Sequence, residues 1–256
     1  AVALSCPDEI FDRMVADLGH DVAVAALEAM NRPAPAVVRA DGYHQDRASQ
    51  LVVEAVLTAG SEGSPGHGGE RILDLCAAPG GKATALAASG ARVVACDLRE
   101  RRLGLVAENS RSLGSNLMLA VADGRVAPFR PDSFDRVLVD APCSGLGVRR
   151  RRADARWQEG RYDEASIREL ADLQLELARQ AADLVAPGGV LAYSVCTLTE
   201  AETAGVDRRL RAAHPTLVPV PVGEPWRPHG DGGIGGMLLP QDLDSEGMAA
   251  FIYRVP

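Results

Sequence analysis

The chain has 256 residues, 46% of them hydrophobic, and a formal net charge of −8. That length and apolar content support one α/β domain with a small appendage and argue against general disorder. The acid excess excludes a general positive coat, so contact with a polyanion has to be local. Residues Pro7 to Leu18 and Asp21 to Met30 carry helical periodicity, with Ile10, Phe11, Met14, Val15 and Leu18 on one face. Gly19 separates these two helices, and Pro33 and Pro35 forbid continuation of the second. Together they predict a helical lead-in over residues 1–45. Asp46 to Ala59 reads as a third helix with Leu51, Val52, Ala55 and Val56 in a stripe, followed by a glycine-rich loop from Gly60 to Gly69.

An α/β body follows. Ile72 to Leu75, Arg92 to Cys96, Leu117 to Val121, Phe134 to Val139 and Val190 to Tyr193 read as five strands. Between them lie predicted helices at Ala83 to Ala88, Glu100 to Leu113 and Asp163 to Val185, the last stopped by Pro187-Gly188-Gly189. A further helix is predicted over Glu200 to Ala213, and Met248 to Arg254 is the clearest of the closing strands.

Asp74-Leu75-Cys76-Ala77-Ala78-Pro79-Gly80-Gly81-Lys82 joins the first strand to a helix. Strand, glycine turn and helix open a parallel α/β sheet, whose ligands sit beyond the carboxyl ends of the strands. Gly80 and Gly81 admit close backbone approach, and the helix start offers N–H groups to an anion, including a ligand carboxylate. A tight turn with no ligand fits the same glycines. Asp97 ends the second strand, where an acid meets ribose hydroxyls, or else caps the next helix. Asp123 ends the third and could reach an adenine edge, or serve only the turn Ala122-Asp123-Gly124.

The five cysteines, Cys6, Cys76, Cys96, Cys143 and Cys196, are widely spaced and never C-x-x-C, which argues against disulfides and a metal site. No apolar run approaches the ~20 residues of a membrane span and no signal peptide opens the chain, so a cytoplasmic protein without membrane contact is expected. Cys76 and Cys96 read as small buried hydrophobes. Cys143 follows the fourth strand in Asp140-Ala141-Pro142-Cys143-Ser144-Gly145, and Cys196 follows the fifth in Tyr193-Ser194-Val195-Cys196-Thr197. In a doubly wound sheet both thiols face the pocket beside the Asp74 to Lys82 turn. Carbon 5 of a pyrimidine is a poor nucleophile until a thiolate adds to carbon 6 and makes it enamine-like. Lys82 would favour the charged thiol, and Asp140 can hold the ring nitrogen or exocyclic amine of cytosine. Arg149-Arg150-Arg151-Arg152 is a local basic run, either a solvated loop or a phosphate contact.

On these motifs, with Gln45-Asp46-Arg47-Ala48-Ser49-Gln50 and Arg150 to Trp157, the sequence resembles the Sun/Fmu (RsmB-type) branch of RNA cytosine-5 methyltransferases. The likeness runs in order over about residues 8–256. It implies a class I, Rossmann-like S-adenosylmethionine-dependent methyltransferase fold, with a mostly parallel seven-stranded sheet as the catalytic domain over residues 46–256. By resemblance, Cys196 attacks carbon 6, Cys143 assists product release, Asp140 contacts the base and Lys82 is the active-site lysine. Cofactor contacts would fall on Cys76, Ala77, Ala78, Pro79, Gly80, Gly81, Lys82, Asp97, Arg102, Asp123, Gly124 and Asp140. RNA, ribosomal RNA foremost, is the implied partner, with Arg149, Arg150, Arg151 and Arg152 at its phosphates; no metal is expected, and a monomer is. A cofactor-holding scaffold without turnover, and methylation of tRNA or DNA, are the alternatives. The second thiol weighs against the scaffold and against DNA.

The chain departs from the family at three points. Val38 to Tyr43 crosses in a few residues a gap where members usually carry a small subdomain. Many members also have a helical RNA-binding domain upstream, outside these 256 residues. Glu202-Thr203 stands where an acid–asparagine pair is common.

Overall fold

The computed structural model describes residues 4–60, 68–151 and 162–256. Five parallel strands form its centre: β1 (Arg71–Asp74), β2 (Arg92–Asp97), β3 (Leu117–Val121), β4 (Phe134–Asp140) and β5 (Val185–Val195). Four antiparallel strands extend the β5 side: β6 (Val218–Val220), β7 (Arg227–His229), β8 (Gly235–Leu238) and β9 (Met248–Arg254). The order is β3-β2-β1-β4-β5-β9-β8-β7, with β6 on β9. Among the described residues the sheet therefore has nine strands where seven were expected; β6 and β7 are three-residue segments too short to show a period of two.

Alternation along the central strands explains why they read as continuous apolar runs. Leu73, Val137, Val139, Leu191 and Tyr193 face one core, whereas Ile72, Leu138, Val190 and Ala192 face the other. The first core is covered by α1 (Asp8–Leu18), α2 (His20–Met30), α6 (Glu164–Leu184) and α7 (Ala204–Ala213). The second is covered by α3 (Arg47–Thr58), α4 (Gly81–Ala88) and α5 (Glu100–Ser112). Ile10, Met14, Leu27 and Met30 of the lead-in helices are buried in the same cluster as Tyr193 and Phe251. Among the described residues, no helix is long and apolar enough to cross a membrane.

Two predicted boundaries move. Pro187-Gly188-Gly189 lies inside β5 instead of between a helix and a strand. The register opposite Phe134 and Arg136 shifts there, Gly188 takes φ +81, and a Cβ on Gly189 would come within 2.7 Å of the Asp135 carbonyl oxygen. This bulge accommodates the proline within the strand. The helix expected from Glu200 begins only at Ala204, because residues 200–203 form turns that carry the Glu202 carboxylate inward.

The short segment Val38 to Tyr43 folds as a small hairpin, with Val38 bridged to His44 and the Arg39 amide bonded to the Tyr43 carbonyl. Its Arg39 guanidinium lies over the Tyr43 ring and donates to Gly81 O at 2.5 Å and Thr84 Oγ1 at 3.1 Å. The hairpin thus presses on the first turn of α4.

Candidate active site

The strand order reverses between β1 and β4, so the sheet opens beyond their carboxyl ends. Asp74, Asp97 and Asp140 end β1, β2 and β4, and Cys196 immediately follows β5. A strand end next to a reversal point is where the two neighbouring connections diverge to opposite faces and leave a crevice.

On the β1–β2 side, the Leu75–Gly80 turn is fixed by backbone bonds from Leu75 to Leu138 O (2.9 Å), Ala77 to Cys96 O (2.8 Å) and Gly80 to Ala77 O (2.7 Å). Gly80 takes φ +107, and a Cβ there would also lie 3.1 Å from Val106, so a side chain is disfavoured by conformation and by space. The first-turn N–H groups of α4 have no partners inside the helix, and its N-cap Gly80 offers no side-chain cap. Asp97 is buried; its carboxylate accepts from the Arg99 amide at 3.0 Å and the Ala78 amide at 3.3 Å. Arg102 stands 3.7 Å from that carboxylate and donates to Ala78 O at 2.9 Å. Asp97 does not cap α5, whose N-cap is Arg99 with no side-chain cap bond; its carboxylate closes a turn onto the Arg99 amide and braces the glycine turn through Ala78. Asp123 accepts from the Arg125 amide at 2.9 Å and pairs with its guanidinium at 2.7 Å, which holds its carboxyl below the usual range. Gly124 packs tightly: a Cβ would come 2.7 Å from Leu177 and 3.1 Å from Leu75.

Asp74 received no separate role from the sequence. It has no exposed surface, and apart from the Cys76 backbone N–H close beside it neither carboxylate oxygen has a hydrogen-bond partner among the described residues. Burial, then the charge of Asp140, push its pKa up to about 7 against the pull of Lys82. The signal, an acid ending a central strand as Asp97 and Asp140 do, was hidden because that strand read as running on to Leu75.

On the β4–β5 side, Lys82 Nζ lies 2.6 Å from Asp140 Oδ2, and Ser194 Oγ donates to Asp140 Oδ1 at 2.8 Å. Both carboxylate oxygens are thereby oriented. Burial opposes the charge on Lys82, but Asp140, Cys196 and Asp74 outweigh it and raise its pKa. Cys143 Sγ and Cys196 Sγ are 3.2 Å apart. Contact with Cys196, then burial, then the negative groups around it push the Cys143 thiol up, so it is held protonated. Lys82, Asp140, Cys143 and Cys196 thus converge as expected from their strand ends. Cys96 is buried, with its thiol raised to about 11, and Cys76 is partly buried, its thiol raised chiefly by burial. Among the described residues, no group of His, Cys, Asp and Glu could hold a metal ion.

Beside Cys143 opens a cleft of about 600 Å³ lined by Arg125 and by Ser166, Glu169, Asp172 and Leu173 of α6. The basic run requires a correction. Arg149 is buried beneath the Tyr162 ring, 4.9 Å from its centroid, and does not present its guanidinium at the surface. Arg150 donates to Arg32 O at 3.1 Å, Pro33 O at 2.8 Å and Asp244 at 2.7 Å. Arg151 pairs with Glu246 at 3.2 Å and Asp46 at 3.5 Å. Arg149 and Arg150 are drawn inward by the ring and carbonyls around them, whereas Arg151 keeps 43% of its side chain exposed beside its two acids. Arg152 lies outside the described residues.

A family model described as 16S rRNA methyltransferase RsmB/F matches residues 65–252. A putative methyltransferase of Mycobacterium tuberculosis is 46% identical over 175 residues, covering 67% of this chain and 36% of that protein. The ribosomal RNA small subunit methyltransferase B of Thermus thermophilus is 44% identical over 158 residues, covering 62% of this chain and 38% of that one. NSun6 from Pyrococcus horikoshii, solved with SFG, superposes with a TM-score of 0.69 at 26% identity, covering 83% of this chain and 52% of that one. A methyltransferase homolog from the same organism shares the fold at a TM-score of 0.76 and 21% identity, covering 99% of this chain and 97% of that one. The chain spans little more than a third of the length of the two curated relatives it matches above. With nearly the whole α/β body matched in order, from the loop before β1 into β9, the chain belongs to the 16S rRNA methyltransferase RsmB/F family.

Proposed function

We propose that the chain methylates carbon 5 of a cytosine in RNA, with S-adenosylmethionine as the donor and ribosomal RNA as the substrate. The observation that carries this reading is the contact between Cys143 and Cys196 at 3.2 Å, beside the Lys82–Asp140 pair. One thiol would serve many chemistries, whereas two in contact suit addition to a base followed by release from it. The relatives named for ribosomal RNA support the substrate, and the relative solved with SFG, an analogue of S-adenosylmethionine, supports the donor.

The residues present fit that donor. Asp74 is a buried carboxylate with no side-chain donor on it, only the Cys76 amide close by, and an ammonium would supply the missing charge. The first-turn amides of α4 would hold a carboxylate, and Asp97 and Asp123 would meet the ribose and adenine. When bound, S-adenosylmethionine supplies an electrophilic methyl group. The protein's own residues prepare the base to accept it. Cys196, within electrostatic reach of Lys82, adds through sulfur to carbon 6, and the displaced electron pair makes carbon 5 nucleophilic. Asp140, fixed by Lys82 and Ser194, holds the cytosine ring nitrogen or exocyclic amine. Cys143 assists release as carbon 5 loses its proton and the bond between carbon 6 and Cys196 breaks. The target base must be unpaired or turned out of its stack to reach the thiols.

The test is transfer of a labelled methyl group to ribosomal RNA, with bisulfite sequencing of the product. Protection of one cytosine from conversion, lost with Cys196→Ala, is the expected result. Label arriving on another base, or surviving the Cys196 variant, overturns the reading.

A further inference from the structure

A buried carboxylate that takes no part in the chemistry links the two cysteine loops. Glu202 has no exposed surface. Its Oε1 accepts from the Ser144 backbone N–H at 2.8 Å and from Gln174 Nε2 at 3.0 Å. Its Oε2 accepts from the hydroxyls of Ser144 at 2.6 Å, Thr199 at 2.8 Å and Thr197 at 3.3 Å. Ser144 is the residue after Cys143, and Thr197 is the residue after Cys196. The two hydroxyls also touch each other, Ser144 Oγ lying 2.7 Å from Thr197 Oγ1. Gln174 extends the same grip, because its amide also donates to Pro142 O at 2.9 Å, on the other side of Cys143.

Five donors on one carboxylate exceed what solubility or helix formation would demand of a glutamate. A buried charge is costly, and an apolar side chain of similar volume fills a core at least as well. What an apolar side chain cannot do is impose a fixed distance on two loops from different strands. Three of the five bonds come from Ser144 and Thr197, the residues that follow the two cysteines, so moving the carboxylate moves the thiols relative to each other.

We propose that Glu202 is a positioning residue: it clamps the loop after β4 to the loop after β5 in the register at which Cys143 and Cys196 touch. This rests on the reading of those cysteines as the reacting thiols. Glu202 itself touches neither the base nor the donor; it acts through Ser144 and Thr197.

Phenylarsine oxide tests the clamp directly, because its arsenic bonds to two nearby thiols with loss of one water. On the reduced full chain, the reagent should block Cys143 and Cys196 together, and Cys143→Ala or Cys196→Ala should abolish this paired blocking. Glu202→Ala is expected to slow it about tenfold or more, and to lower kcat about 100-fold with the KM for S-adenosylmethionine little changed, since a shift near 1 Å costs about that much. Glu202→Gln, which keeps the shape and part of the acceptor set, should recover a portion of both. If Glu202→Ala does not fold, Ser144→Ala combined with Thr197→Val cuts the side-chain arms without opening a large cavity and should show the same loss. A folded variant that is blocked at the wild-type rate overturns the clamp, whatever its activity. Wild-type protein that is blocked in this paired way but methylates no RNA leaves the clamp standing and removes the functional reading.

Discussion

The sulfurs of Cys143 and Cys196 lie 3.2 Å apart although 53 residues separate them in sequence. The parallel pairing of β4 with β5, Asp140 beside Ser194, brings the two loops out of the sheet side by side. Adjacent strands that leave a sheet in the same direction deliver their next residues to one place, so the contact follows from topology before any local preference acts.

That contact predicts opposite outcomes for the two thiols. Cys196→Ala should abolish methyl transfer, by at least about 10⁴-fold, the order seen when a nucleophile is removed. Cys143→Ala should let RNA accumulate on the protein as a covalent adduct, visible as a slow band on a denaturing gel. Turnover that survives Cys143→Ala with no adduct would assign release to another group.

Asp97 predicts a separation of binding from catalysis. Its carboxylate accepts from the Arg99 and Ala78 amides, so the protein's own backbone holds it in place. Asp97→Ala should weaken S-adenosylmethionine binding about tenfold or more, ~1.4 kcal/mol, measured by calorimetry. Unchanged affinity would leave Asp97 with only its structural bonds.

Much of this arrangement was legible in the chain. Apolar runs bounded by Asp97 and Asp140 marked two central strands and the acids at their ends, because a two-sided sheet needs both faces apolar and admits polar groups only where it stops; Asp74 was hidden because its strand read as running on to Leu75. What escaped depended on distant partners. Pro187-Gly188-Gly189 resembles a helix stop until Val255 and the bulge opposite Phe134 supply its hydrogen bonds. Glu202 resembles a first-turn helix acid until donors from two loops capture it. Arg149 and Arg150 resemble a solvated basic patch until Tyr162 and the carbonyls of Arg32 and Pro33 draw them in.

Asp74 predicts a pH dependence with a definite sign. Its pKa rises from 3.8 to about 7 on folding, so the folded chain binds more protons than the unfolded chain between those values. Stability contributed by this group is therefore present at about pH 4 and lost as pH approaches 7, by at most roughly 4 kcal/mol. Asp74→Asn should flatten that slope in calorimetric melts, and S-adenosylmethionine should flatten it in the wild type by pairing with the carboxylate. Identical slopes for variant and wild type would show that Asp74 is not the group responsible.

Gly147 predicts the effect of loosening the thiol loops from outside the clamp. Its amide donates to Cys196 O at 3.0 Å, and its carbonyl accepts from the Gly247 amide at 2.9 Å. A Cβ at this position would fall 2.1 Å from the Gly247 carbonyl oxygen and 3.0 Å from that of Cys196, both backbone atoms that no rotamer can move aside. Gly147→Ala must therefore shift one of the two loops. Overpacking of this kind costs about 1–3 kcal/mol, and in a chain of this size each kcal/mol lowers Tm by roughly 2–4 °C. The same shift should slow turnover more than it weakens cofactor binding, because the displaced carbonyl belongs to the cysteine and not to the glycine turn. Gly247→Ala relieves nothing, since its own Cβ would press on Leu198 at 3.0 Å and on Gly147 at 3.2 Å. A Gly147→Ala protein with wild-type Tm and turnover would mean that the loops yield without moving the sulfurs.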